Sequence, residues 1–393
     1  MFIIFFQFLI IILLSAQNIY FLFNKNFINN YYLNSTKNKN NIIRKINYYI
    51  ITCIKKEIIN ENNNFFIQPL ISSIVIIYNS EKSIRTAIRS IQNQNMKDIE
   101  IILVEDNSLD NSLKIIKKLE ESDSRIKIIK NKINKGSLFS RSIAALYSKG
   151  KYIMALDSDD IFINQNIFSL CYKEAESQNL DILEFSGFQT RKMILRLNKK
   201  FPQIAFYLRY KKNNITIRKP KLFDFLYLKN RTEIIRLQDG YIWGKCIRTY
   251  VYKKALKILG EDVYGQNINF GEDRIVNFIL FKVANSFKYI QEYGIIYIYN
   301  PFSIFHSYNK ISILHDELIN LKNIYKFTYN STDIKIVAYE ISYRWERIIK
   351  VGLNEENKKN LISLIKLLLE NKFLEFNDKN KLEKYLEQII NNQ

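Results

Sequence analysis

Carboxylates follow two apolar segments of the chain at positions where their type and spacing could support chemistry. Asp157-Ser158-Asp159-Asp160 follows the apolar run 152–156, and Glu105-Asp106 follows the run 99–104. Both runs are typical of buried strands, whose carboxyl ends form the ligand-binding edge of an α/β sheet. Carboxylate oxygens suit a hard divalent cation, which in turn neutralises a phosphate-bearing substrate. The pattern therefore predicts transfer from a diphosphate leaving group.

The Glu105-Asp106 pair is expected at the same sheet edge as Asp157. There its carboxylates can accept hydrogen bonds from a nucleotide's base and ribose hydroxyls. The alternative is that the pair only caps the following helix, but Asp110 can supply that cap without it. We therefore place Glu105 and Asp106 in the nucleotide site.

A third acidic pair, Glu272-Asp273, precedes the apolar segment 275–281, which is typical of a helix. Both carboxylates are then expected in the first helical turn, where the helix dipole favours their ionised form. An ionised carboxylate that faces a cleft can take a proton from an acceptor hydroxyl. The same pair could instead serve only to complement the dipole, and the residues alone leave both interpretations open.

Strands and helices alternate regularly between residues 73 and 185. The predicted strands are 73–78, 99–104, 125–129, 152–156 and 181–185, and the predicted helices are 80–94, 111–121, 138–148 and 167–178. Such alternation indicates a mostly parallel sheet with right-handed crossovers. Residues 191–300 lack a clear period, and residues 310–393 have the pattern of amphipathic helices.

Several of these segments resemble family 2 glycosyltransferases. The resemblance covers about residues 70–305 and is carried by Tyr78-Asn79 at the end of the first strand, the segment Glu100–Asp110, Lys149-Gly150-Lys151, Asp157–Asp160, Ile242-Trp243-Gly244-Lys245 and Gly271-Glu272-Asp273. The family's turn glycine is Asn107 here. Asn adopts left-handed backbone conformations more readily than other non-Gly residues, so we expect Asn107 to form the turn.

The resemblance implies an α/β protein of the GT-A fold. This fold has a Rossmann-like nucleotide-binding half with a mostly parallel mixed sheet between helices, here followed by a C-terminal helical region. Glu105 would contact the base and ribose, and Tyr78, Asp106, Arg141 and Asp157 would complete the donor-nucleotide site. Asp159, with Asp157, would hold a divalent metal, Mn²⁺ or Mg²⁺, in the manner of the family's DxD motif. Asp273 would be the catalytic base, and Glu272 would position it.

The reaction that the resemblance implies is an inverting transfer of a sugar from a nucleotide sugar to a hydroxyl. The donor would be a UDP-sugar, with a GDP-sugar as the alternative, and the sugar would be of the hexosyl or N-acetylhexosaminyl type. The acceptor would be a glycan, a lipid or a protein, contacted by Trp243 and Lys245, although a lone Trp also fits a core position. A catalytically inactive nucleotide- or glycan-binding protein is the alternative function.

Transfer of a single sugar is favoured over polymer synthesis. Processive members of the family carry a Gln-x-x-Arg-Trp motif, and this chain has Ile341 at the Gln position before Arg344-Trp345. The chain also lacks the series of hydrophobic segments that polymer-exporting members use to span the membrane.

Composition limits the remaining classes of function. The formal net charge is +21, but the basic residues are spread along the chain without a block of five Lys or Arg, so we do not expect nucleic-acid binding. Three cysteines far apart predict no disulfide framework. Two histidines, His306 and His315, cannot form a multi-histidine zinc site.

The N-terminal segment 2–23 is uncharged and about as long as a helix that spans a bilayer. We predict a single-pass membrane anchor, with a cleaved signal peptide of the secretory pathway (endoplasmic reticulum or Golgi) as the alternative. The side of the membrane stays open. An Asn/Lys-rich linker would occupy residues 24–67, the glycosyltransferase domain 68–305 and a helical extension 306–393.

Overall fold

The chain consists of two units, Met1–Ile67 and Gln68–Gln393, in the computed structural model. The structure describes residues 68–190, 241–298 except 267 and 269, and 310–391 except 330, together with three short strands in the segment 191–240. The predicted anchor 2–23 and the predicted linker 24–67 lie outside the described residues. None of the helices in the described part has the length and apolarity needed to cross a bilayer.

Nine strands of the described residues form one mixed sheet. Its strands are β1 (Ile71–Ile77), β2 (Ile99–Glu105), β3 (Ile126–Lys130), β4 (Tyr152–Asp157), β5 (Ile161–Phe162), β6 (Ile182–Thr190), β7 (Thr216–Arg218), β10 (Lys245–Arg248) and β11 (Ser286–Ile298), and a separate ribbon contains β8 (Tyr227–Lys229) and β9 (Ile234–Arg236). The order is β3-β2-β1-β4-β10-β6-β11-β5, with β7 beside β11. Strands β3, β2, β1 and β4 are parallel, as are β6 and β11, whereas β10 is antiparallel to both of its neighbours.

Helices connect the strands and cover the sheet. They are α1 (Ile84–Gln92), α2 (Ser112–Ser122), α3 (Gly136–Tyr147), α4 (Ile167–Ser177), α5 (Thr249–Leu259), α6 (Glu261–Tyr264), α7 (Glu272–Val283), α8 (Lys310–Thr328), α9 (Lys335–Val351), α10 (Glu355–Leu369) and α11 (Phe376–Asn391). A short 3₁₀ turn, Thr332–Ile334, precedes α9.

The sheet is buried on both faces, which explains its continuous apolar strands. In β2, Ile101 and Leu103 pack into the core that also contains residues of α1, α2 and α4. Ile102 and Val104 pack into the core that contains residues of α3, α5, α7 and the C-terminal helices. The C-terminal helices therefore share a core with the site-bearing helices α3 and α7.

The predicted mixed α/β architecture is confirmed, and the elements differ from the prediction mainly at their ends. The helix predicted over 80–94 begins only at Ile84, because residues 81–83 form a turn. The strand predicted over 181–185 continues to Thr190, where it pairs with the long strand β11. Asn107 has the left-handed conformation expected of the turn residue, with φ of 60°.

Candidate active site

The carboxyl ends of β2 and β4 lie on either side of the end of β1. In the two parallel ladders, Ile77 lies opposite Glu105 and Ile76 lies opposite Asp157. The two acidic groups of the first half therefore leave the sheet at one edge. This is the edge at which open α/β sheets bind ligands.

Glu105 and Asp106 perform different tasks although both are buried. The Asp106 carboxylate accepts hydrogen bonds from Asn131 Nδ2 at 2.7 Å, Lys135 N at 2.8 Å and Gly136 N at 2.9 Å. It therefore holds the first turn of α3. Glu105 Oε1 accepts from Ser108 N at 2.5 Å, whereas its buried Oε2 has no hydrogen-bond partner among the described residues. A ligand donor would satisfy that oxygen.

The loop after β1 connects the loops that follow β2 and β4. Asn79, with φ of 49°, accepts a hydrogen bond from Leu109 N at 2.8 Å through its side-chain oxygen. Ser80 Oγ and Ser158 Oγ lie 2.6 Å apart. Tyr78, a predicted donor contact, is 40% exposed at this edge. These contacts fix the backbone around the predicted donor site and leave the Tyr78 ring open to solvent.

Arg141 of α3 connects β4 with the start of α7. Its buried guanidinium contacts three carboxylates, with Nη1 2.5 Å from Asp273 Oδ1 and 3.3 Å from Glu272 Oε1, and Nη2 3.2 Å from Asp157 Oδ1. Burial alone would lower the pKa of Arg141, but these three negative charges outweigh it and hold the pKa above its usual value. Arg141 thus brings the DxD segment and the Glu272-Asp273 pair together.

At the start of α7, Glu272 and Asp273 both contact the Arg141 guanidinium. Gly271, at the helix N-cap, has φ of 69°, a left-handed conformation that a residue with a Cβ rarely adopts. Glu272 and Asp273 occupy the first helical turn, as predicted. Ser137 Oγ donates to Glu272 Oε1 at 2.5 Å, and Ile242 N donates to Asp273 Oδ2 at 3.1 Å. Each oxygen of Asp273 is therefore oriented by a donor.

The cluster has more negative than positive charge, and this raises carboxyl pKa values. Burial raises the pKa of Glu272 to about 7, and the charge of Asp273 adds to the rise, while Arg141 opposes it. Desolvation in the cleft raises the pKa of Asp157 to about 6 although its side chain is 34% exposed. The charges of Asp273 and Asp159 contribute to that second rise. Burial and the neighbouring negative charges thus favour the protonated forms of Glu272 and Asp157 relative to free carboxyl groups.

Asp160 has a structural task next to the two predicted metal ligands. It is buried, and its Oδ1 accepts a hydrogen bond from Ile298 N at 2.8 Å, which ties the loop after β4 to the end of β11. Burial raises its pKa well above the usual value, and the charges of Asp157 and Asp159 add to this. Asp160 therefore anchors the segment that presents Asp157 and Asp159.

The residues present fit a divalent cation bound together with a phosphate ligand. Within the described part of the chain, no group of three or more Asp, Glu, His or Cys side chains forms a complete metal cage. Mg²⁺ and similar ions that act on phosphates need only one or two carboxylates, because substrate oxygens and water supply the remaining ligands. Asp157 and Asp159 are the carboxylates predicted for such a pair, and a cation would offset the negative charges of Asp273 and Asp159 that add to the burial-driven rise in the pKa of Asp157.

The structure places the two predicted acceptor residues in different surroundings. The Trp243 ring stacks on Tyr241 at a centroid distance of 4.8 Å and on Tyr297 at 6.3 Å. Lys245 is only 3% exposed, and its ammonium donates to Tyr241 O and lies 3.6 Å from Glu184 Oε2. Trp243 therefore belongs to an aromatic stack beside the site, whereas Lys245 is committed to contacts inside the protein.

Three contributors to the site were missing from the sequence prediction: the hydroxyl of Ser137, the backbone N–H of Ile242 and the tyrosines that stack on Trp243. Ser137 lies one helical turn before Arg141, so it shares a face of α3 with a predicted site residue. That spacing is a signal that sequence analysis could have used. The contacts of Ile242 N with Asp273 and of Tyr297 with Trp243 join segments distant in the chain and have no local signal, whereas Tyr241 lies only two positions before Trp243.

Comparison with known proteins finds a family model that matches part of the chain. Residues 72–235 match the model described as Glycosyl transferase family 2. The chain is similar to the uncharacterized glycosyltransferase EpsJ of Bacillus subtilis, with 31% identity over 236 residues, 60% of this chain and 63% of EpsJ. It is also similar to the cholesterol galactosyltransferase of Borreliella burgdorferi, with 28% identity over 65% of this chain and 66% of that protein. The match thus spans just under two thirds of each relative.

Solved structures show the same architecture. The crystal structure of residues 1–349 of S. aureus TarS in complex with UDP-GlcNAc superposes with a TM-score of 0.56, covering 82% of this chain and 92% of that chain. The sequence identity is 17%, so the likeness concerns the fold. The described unit has the GT-A architecture expected from the sequence.

Proposed function

Because residues 72–235 match the model of glycosyltransferase family 2, we propose that this protein transfers a single sugar from a nucleotide sugar to a hydroxyl acceptor, with inversion at the anomeric carbon. The observation that carries the proposal is the contact of one guanidinium with Asp157, Glu272 and Asp273. Asp157 is proposed for the leaving-group side, and Glu272 and Asp273 for the acceptor side. Their shared contact with Arg141 places all three close enough to act on one substrate.

The donor nucleotide would bind at the edge formed by β1, β2 and β4. Glu105 Oε2 is buried and needs a donor, which the base or the ribose of a nucleotide can provide. Asp106 acts there indirectly, because its oxygens accept hydrogen bonds from the start of α3. A UDP-sugar is the favoured donor, and the fold shared with the UDP-GlcNAc complex of TarS supports it.

The diphosphate would lie against Asp157, Asp159 and Arg141. Asp157 and Asp159 would hold Mn²⁺ or Mg²⁺, which when bound neutralises negative charge on the diphosphate. Arg141 is buried and permanently charged, so it can bind the diphosphate or the transferred sugar without a proton change. Its present contact with Asp157 leaves it next to the expected leaving group.

Asp273 would act as the general base. The acceptor hydroxyl loses its proton to the Asp273 carboxylate, the acceptor oxygen bonds to the anomeric carbon, and the bond from that carbon to the diphosphate oxygen breaks. The nucleoside diphosphate leaves with the electron pair on the opposite face, which inverts the configuration. Arg141 and Ile242 N orient the two carboxylate oxygens, and Glu272 Oε1 accepts a hydrogen bond from the same Arg141 Nη1 that contacts Asp273.

The helical extension supports transfer of one sugar per binding event. Trp345 stacks on Tyr385 at 4.0 Å and donates from Nε1 to Gln388 at 2.8 Å, so its ring is used in packing α9 against α11. Ile341, at the position of the processive family's Gln, is buried. The Gln-x-x-Arg-Trp arrangement of processive members is therefore incomplete here, and its Trp is used in packing.

The acceptor would approach the aromatic stack formed by Tyr241, Trp243 and Tyr297. Aromatic rings pack well against the apolar faces of sugars, and this stack lies next to the Asp273 anchor because Ile242 sits between two of its members. A glycan, a lipid or a protein glycan fits this chemistry. The galactosyltransferase relative, named for cholesterol, favours a lipid. Membrane attachment through residues 2–23 would bring the site close to such an acceptor.

Nucleotide binding tests the proposal without knowledge of the acceptor. We would titrate UDP, GDP and CDP calorimetrically into the full chain, purified in detergent, with and without Mn²⁺. One nucleotide is expected to bind at least about 10-fold more tightly with Mn²⁺ present. Asp159→Asn should abolish that metal dependence. Asp98→Asn is the matched control, because Asp98 is exposed and directly precedes β2, at the end of that strand away from the site.

Two results would contradict the proposal. A folded protein that binds none of the three nucleotides would be a degenerate member of the fold. Binding that is unaffected by Mn²⁺ and by Asp159→Asn would remove the metal from the mechanism and leave Arg141 as the only cation for the leaving group.

A further inference from the structure

Helix α8 of the C-terminal extension contacts the chain on both sides of the Glu272-Asp273 pair. We propose that Asp316, Glu317 and Asn320 of α8 are positioning residues that set the orientation of the proposed base, so that the helical extension is part of the active site. The inference rests on the proposed function, since it assigns a task to these residues in the same reaction.

The first contact fixes the residue before the N-cap glycine. Phe270 N donates to Asp316 Oδ2 at 3.0 Å, and Asn320 Nδ2 donates to Phe270 O at 3.1 Å. All three residues are buried. Both polar groups of the Phe270 backbone are thus held by one helix, directly before left-handed Gly271. The amide of Asn320 also lies 3.5 Å from the point where a Cβ on Gly271 would sit.

The second contact fixes the residue after Asp273. Arg274 Nη1 lies 2.9 Å from Glu317 Oε1, and the Glu317 side chain is only 1% exposed. Arg344 of α9 also approaches this carboxylate, with Nε 3.4 Å from Oε1, and its Nη1 pairs with Glu340. The ion pair of Arg274 is therefore part of a buried network that spans α7, α8 and α9.

These contacts lie on one side of α8, because Asn320 follows Asp316 by four positions and Glu317 by three. They hold the backbone at 270 and the side chain at 274, which together determine the direction of the first turn of α7. Asp273 lies between the two attachment points. Its own contacts, with Arg141 and Ile242 N, come from the sheet side. The base is thus held from both the catalytic half and the extension.

Stability alone does not account for the network. Burying charged pairs costs desolvation that their attraction only partly returns, and apolar residues of similar size often pack at least as stably. Directional hydrogen bonds to a backbone amide and its carbonyl instead specify one geometry. A misplacement of about 1 Å at a catalytic group can reduce turnover by about 100-fold, so geometry at this turn has a large functional value.

The test compares variants of α8 in the full chain. Asp316→Leu removes the acceptor for Phe270 N, and Asp316→Asn keeps an acceptor oxygen. Asn320→Ala is a milder second variant, which removes only the donor to Phe270 O. Asn357→Ala is the matched control, because buried Asn357 of α10 contacts α8 through Ile311 O at 3.3 Å and His315 Nδ1 at 3.1 Å, so its loss destabilises α8 without removing a contact to Phe270 or Arg274.

Three quantities are measured for each variant: release of nucleoside diphosphate from the nucleotide sugar, nucleotide affinity, and hydrogen–deuterium exchange of the amides in 270–276. Asp316→Leu should speed that exchange and lower kcat about 100-fold, while the donor KM changes less than about 2-fold. Asn320→Ala should lower kcat about 10-fold. Asp316→Asn should restore most of kcat. Asn357→Ala should lower the melting temperature without changing kcat.

The outcomes separate this inference from the proposed function. If wild type releases nucleoside diphosphate and Asp316→Leu or Asn320→Ala loosens the turn without loss of kcat, the positioning role is wrong and the proposed function stands. If Asn357→Ala lowers kcat as much as Asn320→Ala does at equal loss of melting temperature, α8 acts only through stability. If wild type cleaves no nucleotide sugar, the proposed function fails, and the inference fails with it.

Discussion

The sequence Gly-Glu-Asp occurs twice, at 260–262 and at 271–273, and the two copies share a local structure. Gly260 and Gly271 both have positive φ, at 78° and 69°, and in both copies the acidic pair begins a helix. Their surroundings are opposite. The Asp262 side chain is 64% exposed and pairs with Lys326 at 2.5 Å, whereas Glu272 and Asp273 face a buried arginine that they share with Asp157.

The two copies consequently differ in acid–base behaviour. The shift falls on the Asp of the exposed copy, where a hydrogen bond from Lys326 lowers the pKa of Asp262, and on the Glu of the buried copy, where burial raises the pKa of Glu272 to about 7. Helix position and residue type are the same, so neither determines the chemistry. The difference comes from Arg141, Ser137 and the backbone at Ile242, which only the second copy contacts. Tertiary contacts therefore distinguish the candidate catalytic pair at 272–273 from the same sequence at 261–262.

The largest expected effect is on the reaction rate, and it distinguishes Asp273 from Asp262. Asp273→Asn should lower the rate of nucleoside diphosphate release from a nucleotide sugar by about 1,000-fold, because the variant cannot accept the acceptor's proton. Asp262→Asn, the same change in the other copy, should leave the rate within about 2-fold of wild type. Steady-state assays at saturating donor measure both. Equal rates for the two variants would mean that Asp273 is not the base.

Arg141 is the contact that most distinguishes the second copy. Arg141→Lys should reduce turnover by about 100-fold, because a lysine ammonium cannot reproduce the planar fork that reaches three carboxylates. Arg125→Lys is the control, since Arg125 forms a comparable two-point contact, with Asp123 alone and away from the site. Full activity of Arg141→Lys would show that a single positive charge suffices and that the fork geometry has no role.

A smaller effect on nucleotide binding is expected at Glu105, at the same edge of the sheet. Glu105→Gln should weaken nucleotide binding by about 10-fold, because an amide N–H would replace the acceptor oxygen that is left without a partner. Glu100→Gln is the control at the opposite end of the same strand, where buried Glu100 pairs with Lys127 at 2.6 Å. Calorimetric titration distinguishes the two. Unchanged affinity in Glu105→Gln would remove Glu105 from the nucleotide site.

The smallest effect concerns stability and its dependence on pH. The folded-state pKa of Glu272 is raised from 4.5 to about 7, so the folded protein holds this proton more tightly than the unfolded chain does. The contribution of Glu272 to stability is therefore fully present below about pH 4.5 and is lost as pH rises through 7. Glu272→Gln should raise the melting temperature by about 3 °C at pH 8 and by less than about 1 °C at pH 4.5.

Glu261→Gln in the exposed copy serves as the control for that measurement. It should leave the melting temperature unchanged at both pH values, because Glu261 is exposed. If Glu272→Gln raised the melting temperature more at pH 4.5 than at pH 8, the pH dependence would be opposite to the predicted one and would contradict the burial argument. Calorimetry of the purified full chain at the two pH values decides between the results.

The sequence pattern predicted the acidic sheet edge well because that edge depends on local signals. An apolar run identifies a buried strand, and the residues that follow it must lie at the strand's end, so Glu105 and Asp157 were expected together. The turn at Asn107 follows from the resemblance, which places a glycine there, and from the backbone preference of Asn, and φ of 60° confirms it. These features need no knowledge of distant contacts.

The centre of the site could not be predicted in the same way. Arg141 and Asp273 are 132 positions apart, and their contact depends on how α3 and α7 pack on one face of the sheet. Burial of Lys245 next to Glu184 likewise follows from the pairing of β10 with β6. Asp106 was placed in the nucleotide site because it follows a strand, but its oxygens hold the start of α3. Such roles depend on tertiary packing.

The stereochemistry of cleavage tests the central claim most directly. The full chain would be incubated with UDP-α-sugars and Mn²⁺, with water as the acceptor, while proton NMR follows the anomeric signal of the first sugar released. Single displacement with Asp273 as base predicts that the β-anomer appears first and that Asp273→Asn releases almost none. Initial release of the α-anomer, or release at wild-type rate by Asp273→Asn, would contradict the account.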